Sequence, residues 1–317
     1  MQAFIIKRSV SMLVTLFLIS VVIFVMVRLL PGNIIDVLFN GDVEVTPEEK
    51  HQALEQLGMK GSWFAQYTHW MGRILFHGDF GRSYRSQQPI WTILSHGMHI
   101  TFELVFLGLL IAVLVGIPLG AISAVRRDKP ADYTARSVGL LGISVPNFFV
   151  ATLILIFLSR VFHWIPPLSY VPFTQSPTQN LEQFIFPAIA ISFFTMAVVM
   201  RLLRATMLEV LGLDSVRTAR AKGVPGRTVV RKHALRNALI PVATVVAFEV
   251  GVLIGASAVV ETIFNLPGLG YTLLQSLTYR DYPILQSTVM LIAIVFLIFN
   301  LIVDILYGVL DPRIVVE

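Results

Sequence analysis

Apolar residues in this chain come in long unbroken blocks rather than in stripes at helical spacing. A bilayer-spanning helix needs about 20 predominantly apolar residues. Six segments qualify: Ser9 to Val27, about Ile100 to Val125, Ser137 to Ser159, Phe184 to Arg201, Ala238 to Val260 and Ile284 to Leu306. The pattern predicts an all-α integral membrane protein with six transmembrane helices. Pro118 and Pro146 fall inside two of the blocks and predict kinks. Lys7 and Arg8 ahead of the first block give it the look of a secretory leader. The run is too long for a leader core and no small-x-small site follows it, so it reads as a retained anchor.

The longest polar interruption on one side runs from about Leu29 to His99. Thr46-Pro47-Glu48-Glu49 predicts a helix start, with a threonine cap, proline at the first helical position and Glu49 closing a capping box. Gly58 is placed to end that helix. A second helix is predicted over Phe64 to Phe76, with Trp63, Phe64, Tyr67 and Trp70 suited to a membrane interface. Gly78 to Tyr84 reads as a turn-rich loop. A proline-rich connection follows later at Trp164-Ile165-Pro166-Pro167.

Composition strengthens the membrane reading. Apolar residues make up 56% and charged residues 14% of 317, against roughly 45–50% and about 25% in soluble domains. With no cysteine there is no disulfide, thiol nucleophile or cysteine-ligated metal. The net charge of +5 does not argue for nucleic acid, because its distribution follows topology. Lys7, Arg8, Arg126, Arg127, Lys129, Arg136, Arg313 and nine cations between Arg201 and Arg236 fall on one side of a six-span chain. The positive-inside rule makes that side, and both termini, cytoplasmic.

Catalytic chemistry is missing from the sequence. There is no GxxxxGK[ST] phosphate loop, no HExxH and no GxSxG. His96 and His99 have no matched acidic or histidine partners. No catalytic residue and no metal site are assigned, and the chain is not read as an enzyme. Charges within spans are costly and often functional. Glu249 either faces a water-filled path, makes an interhelical hydrogen bond, or is a protonated carboxyl held by a neighbour's backbone. Glu103 and Glu261 are expected at the membrane interface. Asp304 and Asn300 suit packing between helices, while Arg201 and Arg204 are placed to snorkel from the inner end of the fourth span.

The stretch from Leu211 to Pro241 stands apart, since it is basic, helix-forming and broken by Gly223, Pro225 and Gly226. It reads as a docking element for a soluble partner. Its Arg217-Thr218-Ala219-Arg220-Ala221-Lys222-Gly223, followed by His233-Ala234-Leu235-Arg236-Asn237-Ala238 up to Pro241, resembles the inner-face signature of ATP-binding-cassette importer permeases. Against the general form Glu-Ala-Ala-x3-Gly-x9-Ile-x-Leu-Pro, only Ala219, Gly223 and Leu235 match. The departures are similar to those of one branch, the permeases for dipeptides, oligopeptides, nickel and glutathione. Further similarities lie in order along the chain: Leu30-Pro31-Gly32, Gly78 to Ser83, Val145 to Phe148, Val260 to Phe264, Pro267 to Gly270, Arg280 to Pro283 and Asp311 to Arg313. Asn33-Ile34 departs from the Asp-Pro that often follows Leu-Pro-Gly in that branch.

The resemblance implies a type I importer permease fold with both termini inside. It implies an anchor helix and outer segment over 1–99, a five-helix core over 100–308 holding a coupling loop at 208–237, and a cytoplasmic tail over 309–317. Asp214, Arg217, Thr218, Ala219, Arg220, Ala221, Lys222 and Gly223 would dock on an ATPase; apart from the resemblance, Glu249 and Asn147 are the residues read from the spans as candidates for the translocation path. Implied partners are a second, homologous permease in a heterodimer, two cytoplasmic ATP-binding subunits, an extracytoplasmic substrate-binding protein and membrane lipid. ATP and Mg would be bound by the partner subunits, with no cofactor in this chain. The implied site is a bacterial or archaeal cytoplasmic membrane, and the implied cargo is peptide. Nickel, glutathione or oligosaccharide remain alternatives. A gradient-driven secondary transporter is the reading outside this class. It predicts repeated halves, and none is visible.

Overall fold

The computed structural model describes residues 2–29 and 61–310. The helix expected from Thr46 to Gly58, the Leu30-Pro31-Gly32 motif and Asp311-Pro312-Arg313 lie outside the described residues. In chain order the helices are α1 (Gln2–Leu29), α2 (Trp63–His77), α3 (Ile90–Val125), α4 (Pro130–Ser144), α5 (Asn147–Phe162), α6 (Pro177–Gly212) and α7 (Asp214–Ala221). A turn at Gly226–Thr228 and a π-helical stretch, Val229–Leu235, then lead into α8 (Arg236–Ile263), α9 (Leu269–Thr278) and α10 (Tyr282–Leu310). Extended pairing among the described residues is confined to an isolated antiparallel bridge between Arg82 and Pro89.

Among the described residues five helices are long and apolar enough to cross a bilayer, and the bent pair, α4 with α5, brings the number to six where it is one broken span. That pair corrects one expectation. Pro146 does not kink a continuous third span but breaks it, with an angle of 105° between Pro130–Ser144 and Asn147–Phe162. The cause is local. A residue preceding proline is pushed out of the helical region, and Val145 accordingly sits at φ −93, ψ 122. Pro118, by contrast, stays inside the continuous α3.

The chain divides into two compact units. The first contains residues up to Ile100 together with Pro267–Leu301. Within it, Ile23 and Val27 of α1 pack with Tyr282 and Leu285 of α10. Helix α2 begins at Ser62, whose hydroxyl accepts the Ala65 N–H at 3.3 Å, and ends at Gly78 in the left-handed conformation. It is tied to α1 by a hydrogen bond between Ser20 and Tyr67 at 2.7 Å and by Arg28, which donates to Gln66 Oε1 at 2.9 and 3.0 Å. The four aromatics read together in the sequence therefore separate. Tyr67 and Trp70 pack on Phe24, while Trp63 stays exposed beside Phe64.

The second unit, Thr101–Leu266 with Ile302–Val316, is built around α6. In its most apolar window 67% of residues are buried, against 22–33% in the other continuous spans. Helix α6 is thus the central helix of this unit, while most of the apolar window of each other continuous span is not buried. Without a hydrophobic force between helices in lipid, close packing of small residues is what joins them. Gly116 and Gly120 of α3 provide it: a Cβ at Gly116 would lie 2.9 Å from the Met196 carbonyl oxygen, and one at Gly120 would lie 2.7 Å from that of Met200. Backbone atoms cannot turn aside as side chains can. Gly120→Leu is expected to cost about 1–3 kcal/mol, seen as a lower unfolding temperature of the detergent-solubilised protein. Gly255→Leu, where an added Cβ meets nothing within 4 Å, should leave that temperature near wild type.

Candidate functional site

Helix α7 starts one residue after α6 ends. Leu213 leaves the helical region at φ −67, ψ 148, and its carbonyl accepts the Val216 N–H at 3.0 Å and the Arg217 N–H at 3.2 Å, starting a new helix. Asp214 falls in the first turn of α7, where a carboxylate favours the helix dipole. The end is equally defined. The Val224 N–H reaches back to the Ala219 carbonyl at 3.2 Å while Gly223 sits at φ +77, which is a Schellman stop with glycine at its left-handed position.

The expected docking residues therefore fall on α7 (Asp214, Arg217, Thr218, Ala219 and Ala221, with Arg220) and on the turn that ends it (Lys222 and Gly223), and apart from the half-buried Ala219 the seven besides Arg220 are exposed. Val216, 2% exposed, is the anchor on the inner edge. The chain packs against α7 through α6 and the π-helical stretch. That stretch is itself fixed, because its Ala234 joins Ala124, Leu203, Met207, Ala238 and Val242 in one apolar cluster. Asp214 and Arg217 approach at 3.5 Å, with 94% and 77% of their side chains exposed, so this pair adds little stability. A Cβ on Gly223 would meet nothing within 4 Å. Within this chain, the demand for glycine there is conformational.

Behind α7, Arg204 of α6 donates through Nε and Nη2 to the two oxygens of Asp132 on α4, both at 2.8 Å. Ser123 of α3 donates to the same carboxylate at 2.6 Å and the Asp128 N–H donates at 3.0 Å. Asp132 has no exposed surface. Arg204 therefore does not snorkel as expected; a buried partner three residues into α4 captures it. The sequence left Asp132 unremarked because carboxylate and guanidinium are 72 residues apart.

Glu249 of α8 is 7% exposed and accepts the Thr195 hydroxyl of α6 at 2.7 Å. Asn147 opens α5 at the helix break, and its Oδ1 is buried with no hydrogen-bond partner. No hydrogen bond joins these two among the described residues. Glu261, expected at the membrane interface, is fully buried and accepts the Thr101 hydroxyl at 2.7 Å. Placing it by distance from the block's end missed the threonine on α3.

In the first unit, two motifs read separately in the sequence meet. Asp281, 4% exposed, accepts the Ser83 hydroxyl at 2.6 Å and the N–H groups of Tyr84 and Arg85 at 3.2 and 3.3 Å. At the other end of this loop, Asp79 accepts from Arg73 and from the Gly81 N–H at 2.8 Å. The Arg73 hydrogen bond, chiefly, holds the Asp79 carboxyl below the usual carboxylate range. Beside the Asp281 clamp is a cavity of about 630 Å³ lined by Arg85, Gln88, His96, Tyr271 and Gln275, among others, with Arg85 stacked 3.7 Å over the Tyr279 ring. Asp281→Ala would leave two backbone N–H groups without their acceptor, at about 1–3 kcal/mol. The expected result is faster hydrogen exchange at the Tyr84 and Arg85 amides, with the α6 amides unchanged.

Comparison with known proteins gives consistent matches. The model of the binding-protein-dependent transport system inner membrane component family matches residues 116–316, and the model of its N-terminal membrane component matches residues 1–105. A putative peptide transport system permease protein of Brucella suis biovar 1 (strain 1330) is 38% identical over 314 residues, covering 99% of each chain. The dipeptide transport system permease protein DppB of Escherichia coli (strain K12) is 35% identical over 339 residues, again covering 99% of each. The glutathione transport system permease protein GsiC of Escherichia coli O1:K1 / APEC is also 35% identical, over 318 residues with 99% coverage of both chains. Among solved structures, the inward-facing MetNI methionine ABC transporter aligns with a TM-score of 0.58 at 18% identity, over 71% of this chain and 99% of that one. An amino acid ABC transporter aligns at 0.52 and 21%, over 70% and 94%. At those identities the likeness concerns the fold, that of a type I importer permease.

Proposed function

Because the chain belongs to the binding-protein-dependent transport system inner membrane component family, we propose that it carries peptides across a bacterial or archaeal cytoplasmic membrane, driven by ATP hydrolysed on partner subunits. Its relatives named for peptide, dipeptide and glutathione transport support that cargo class. The observation that carries the coupling role is α7. It is anchored to the bundle along one edge by Val216 and presents Asp214, Arg217 and Thr218 outward, with Lys222 exposed in the turn that follows. A short helix fixed to α6 and to the π-helical stretch transmits a push as a displacement of the central helix. A flexible loop would absorb it. Small Ala219 and Ala221 let another surface approach closely, while Arg217 and Lys222 give it directed polar contacts.

In this reading both termini and α7 face the cytoplasm, as the charge asymmetry requires. A second, homologous permease completes the path, an extracytoplasmic binding protein delivers the peptide, and two ATPase subunits hold ATP and Mg. Asn147 at the helix break, whose Oδ1 has no hydrogen-bond partner among the described residues, and Glu249, on the α6–α8 contact, are the groups we place along the path. Reconstitution of the assembled transporter in proteoliposomes tests the whole reading. Labelled peptide should accumulate when ATP, both ATPase subunits and the binding protein are present. Uptake by this chain without ATPase subunits would overturn it.

A further inference from the structure

The fold of the first unit encloses a second, more polar cavity of about 330 Å³ between α1, α2, the Gly78 to Gln87 loop and the start of α10. Three guanidinium groups line it, those of Arg28, Arg73 and Arg82, against a single carboxylate, Asp79, which Arg73 already engages. Among the described residues the other two cations have only neutral acceptors. Arg28 donates to Gln66 Oε1 and the Phe24 carbonyl, and Arg82 donates to the Gln87 carbonyl at 3.0 Å. Gln286 also lines the cavity; it is 6% exposed, and its amide nitrogen is buried with no hydrogen-bond partner. A cavity with uncompensated positive charge and a spare amide donor suits an anion with several acceptor oxygens.

The surroundings decide which anion. Met26 and Leu29, within a helical turn of Arg28, are exposed at 62% and 67%, and Leu75 and Phe76, next to Arg73, at 70% and 83%. On a chain with this many membrane spans, such surface meets acyl chains rather than water. Guanidinium groups beside apolar surface of this kind meet the headgroup layer, where they can pair bidentately with a phosphate. A free peptide carboxylate would not account for the apolar flanks.

We propose that this cavity binds the headgroup phosphate of an anionic phospholipid, with Arg28, Arg82 and Gln286 as its ligands and the acyl chains lying along α1 and α2. The site fastens α2 and the loop after it to the bilayer, so it acts on the order of this segment rather than on cargo. It stands whether or not the cargo is peptide, since its test reads lipid and not transport.

The test uses the assembled transporter purified in detergent, with bound lipid counted by native mass spectrometry. Wild type should retain phosphatidylglycerol in preference to phosphatidylcholine, and phosphatidylglycerol should raise its unfolding temperature. Arg82→Gln and Gln286→Leu should each weaken phosphatidylglycerol binding by about tenfold or less, and Arg28→Gln/Arg82→Gln by more than tenfold. Arg82 is exposed, so its variant keeps the test sharp should changes at Arg28 impair folding. Equal retention of the two lipids, or undiminished phosphatidylglycerol in the Arg82 and Gln286 variants, would overturn the proposal. Displacement of the lipid by millimolar inorganic phosphate would overturn it too, by making the ligand a soluble anion.

Discussion

ATP-driven peptide uptake is expected to fall about tenfold or more in Gly223→Val, with the ATPase no longer stimulated by loaded binding protein. The left-handed conformation costs a residue with a Cβ roughly 1–2 kcal/mol, and a β-branched one more. Gly223 sits at φ +77, so valine would unwind the Schellman stop and let the end of α7 fray. Among the described residues nothing lies within 4 Å of an added Cβ there, so the bundle itself should fold, with unchanged yield and unfolding temperature. Gly223→Asn separates the two reasons for glycine, because asparagine tolerates the left-handed region. Recovered uptake in that variant would assign the requirement to backbone conformation, and continued loss would assign it to a partner surface close to the Cα. Unchanged uptake and ATPase stimulation in Gly223→Val would remove α7 from the coupling role.

Arg204→Met is the substitution expected to damage the fold most. It strands the Asp132 carboxylate, which has no exposed surface, with only Ser123 and the Asp128 N–H as donors. Removing one member of a buried pair costs about 3–5 kcal/mol. The 22% exposure of the Arg204 side chain argues for the lower end. The reciprocal change should be milder, because in Asp132→Asn the guanidinium has a route to solvent and the amide can still accept from Ser123. The double variant Asp132→Asn/Arg204→Met should be more stable than Arg204→Met alone, since no charge is then left buried. Unfolding temperatures and the fraction of monodisperse protein in detergent give the full cycle. Equal losses in both single variants, adding in the double, would show that the pair carries no coupling energy.

Much of the architecture was legible because lipid imposes a simple rule. A segment must satisfy its own backbone hydrogen bonds and present an apolar exterior for some 20 residues, and that needs no knowledge of neighbours. The extent of α2, read as Phe64 to Phe76, and the break at Gly223 were legible for a related reason, because turn residues such as Gly78 and Gly223 act on the backbone within a few residues of themselves. The third span was read too smoothly, because a hydropathy block does not register that Pro146 also removes Val145 from the helix.

Pairings were not legible in the same way. Asp132 with Arg204, Glu249 with Thr195, Glu261 with Thr101 and Asp281 with Ser83 join residues between 54 and 198 positions apart. Each acid alone reads as a surface, interfacial or path residue. Local chemistry therefore settled from sequence alone that this is a helical membrane protein with a basic helix ended by a glycine. Only the tertiary structure decided which helix is central and which charges are neutralised by partners. Burial and ion pairing are properties of two surfaces meeting, and a linear pattern holds just one of them.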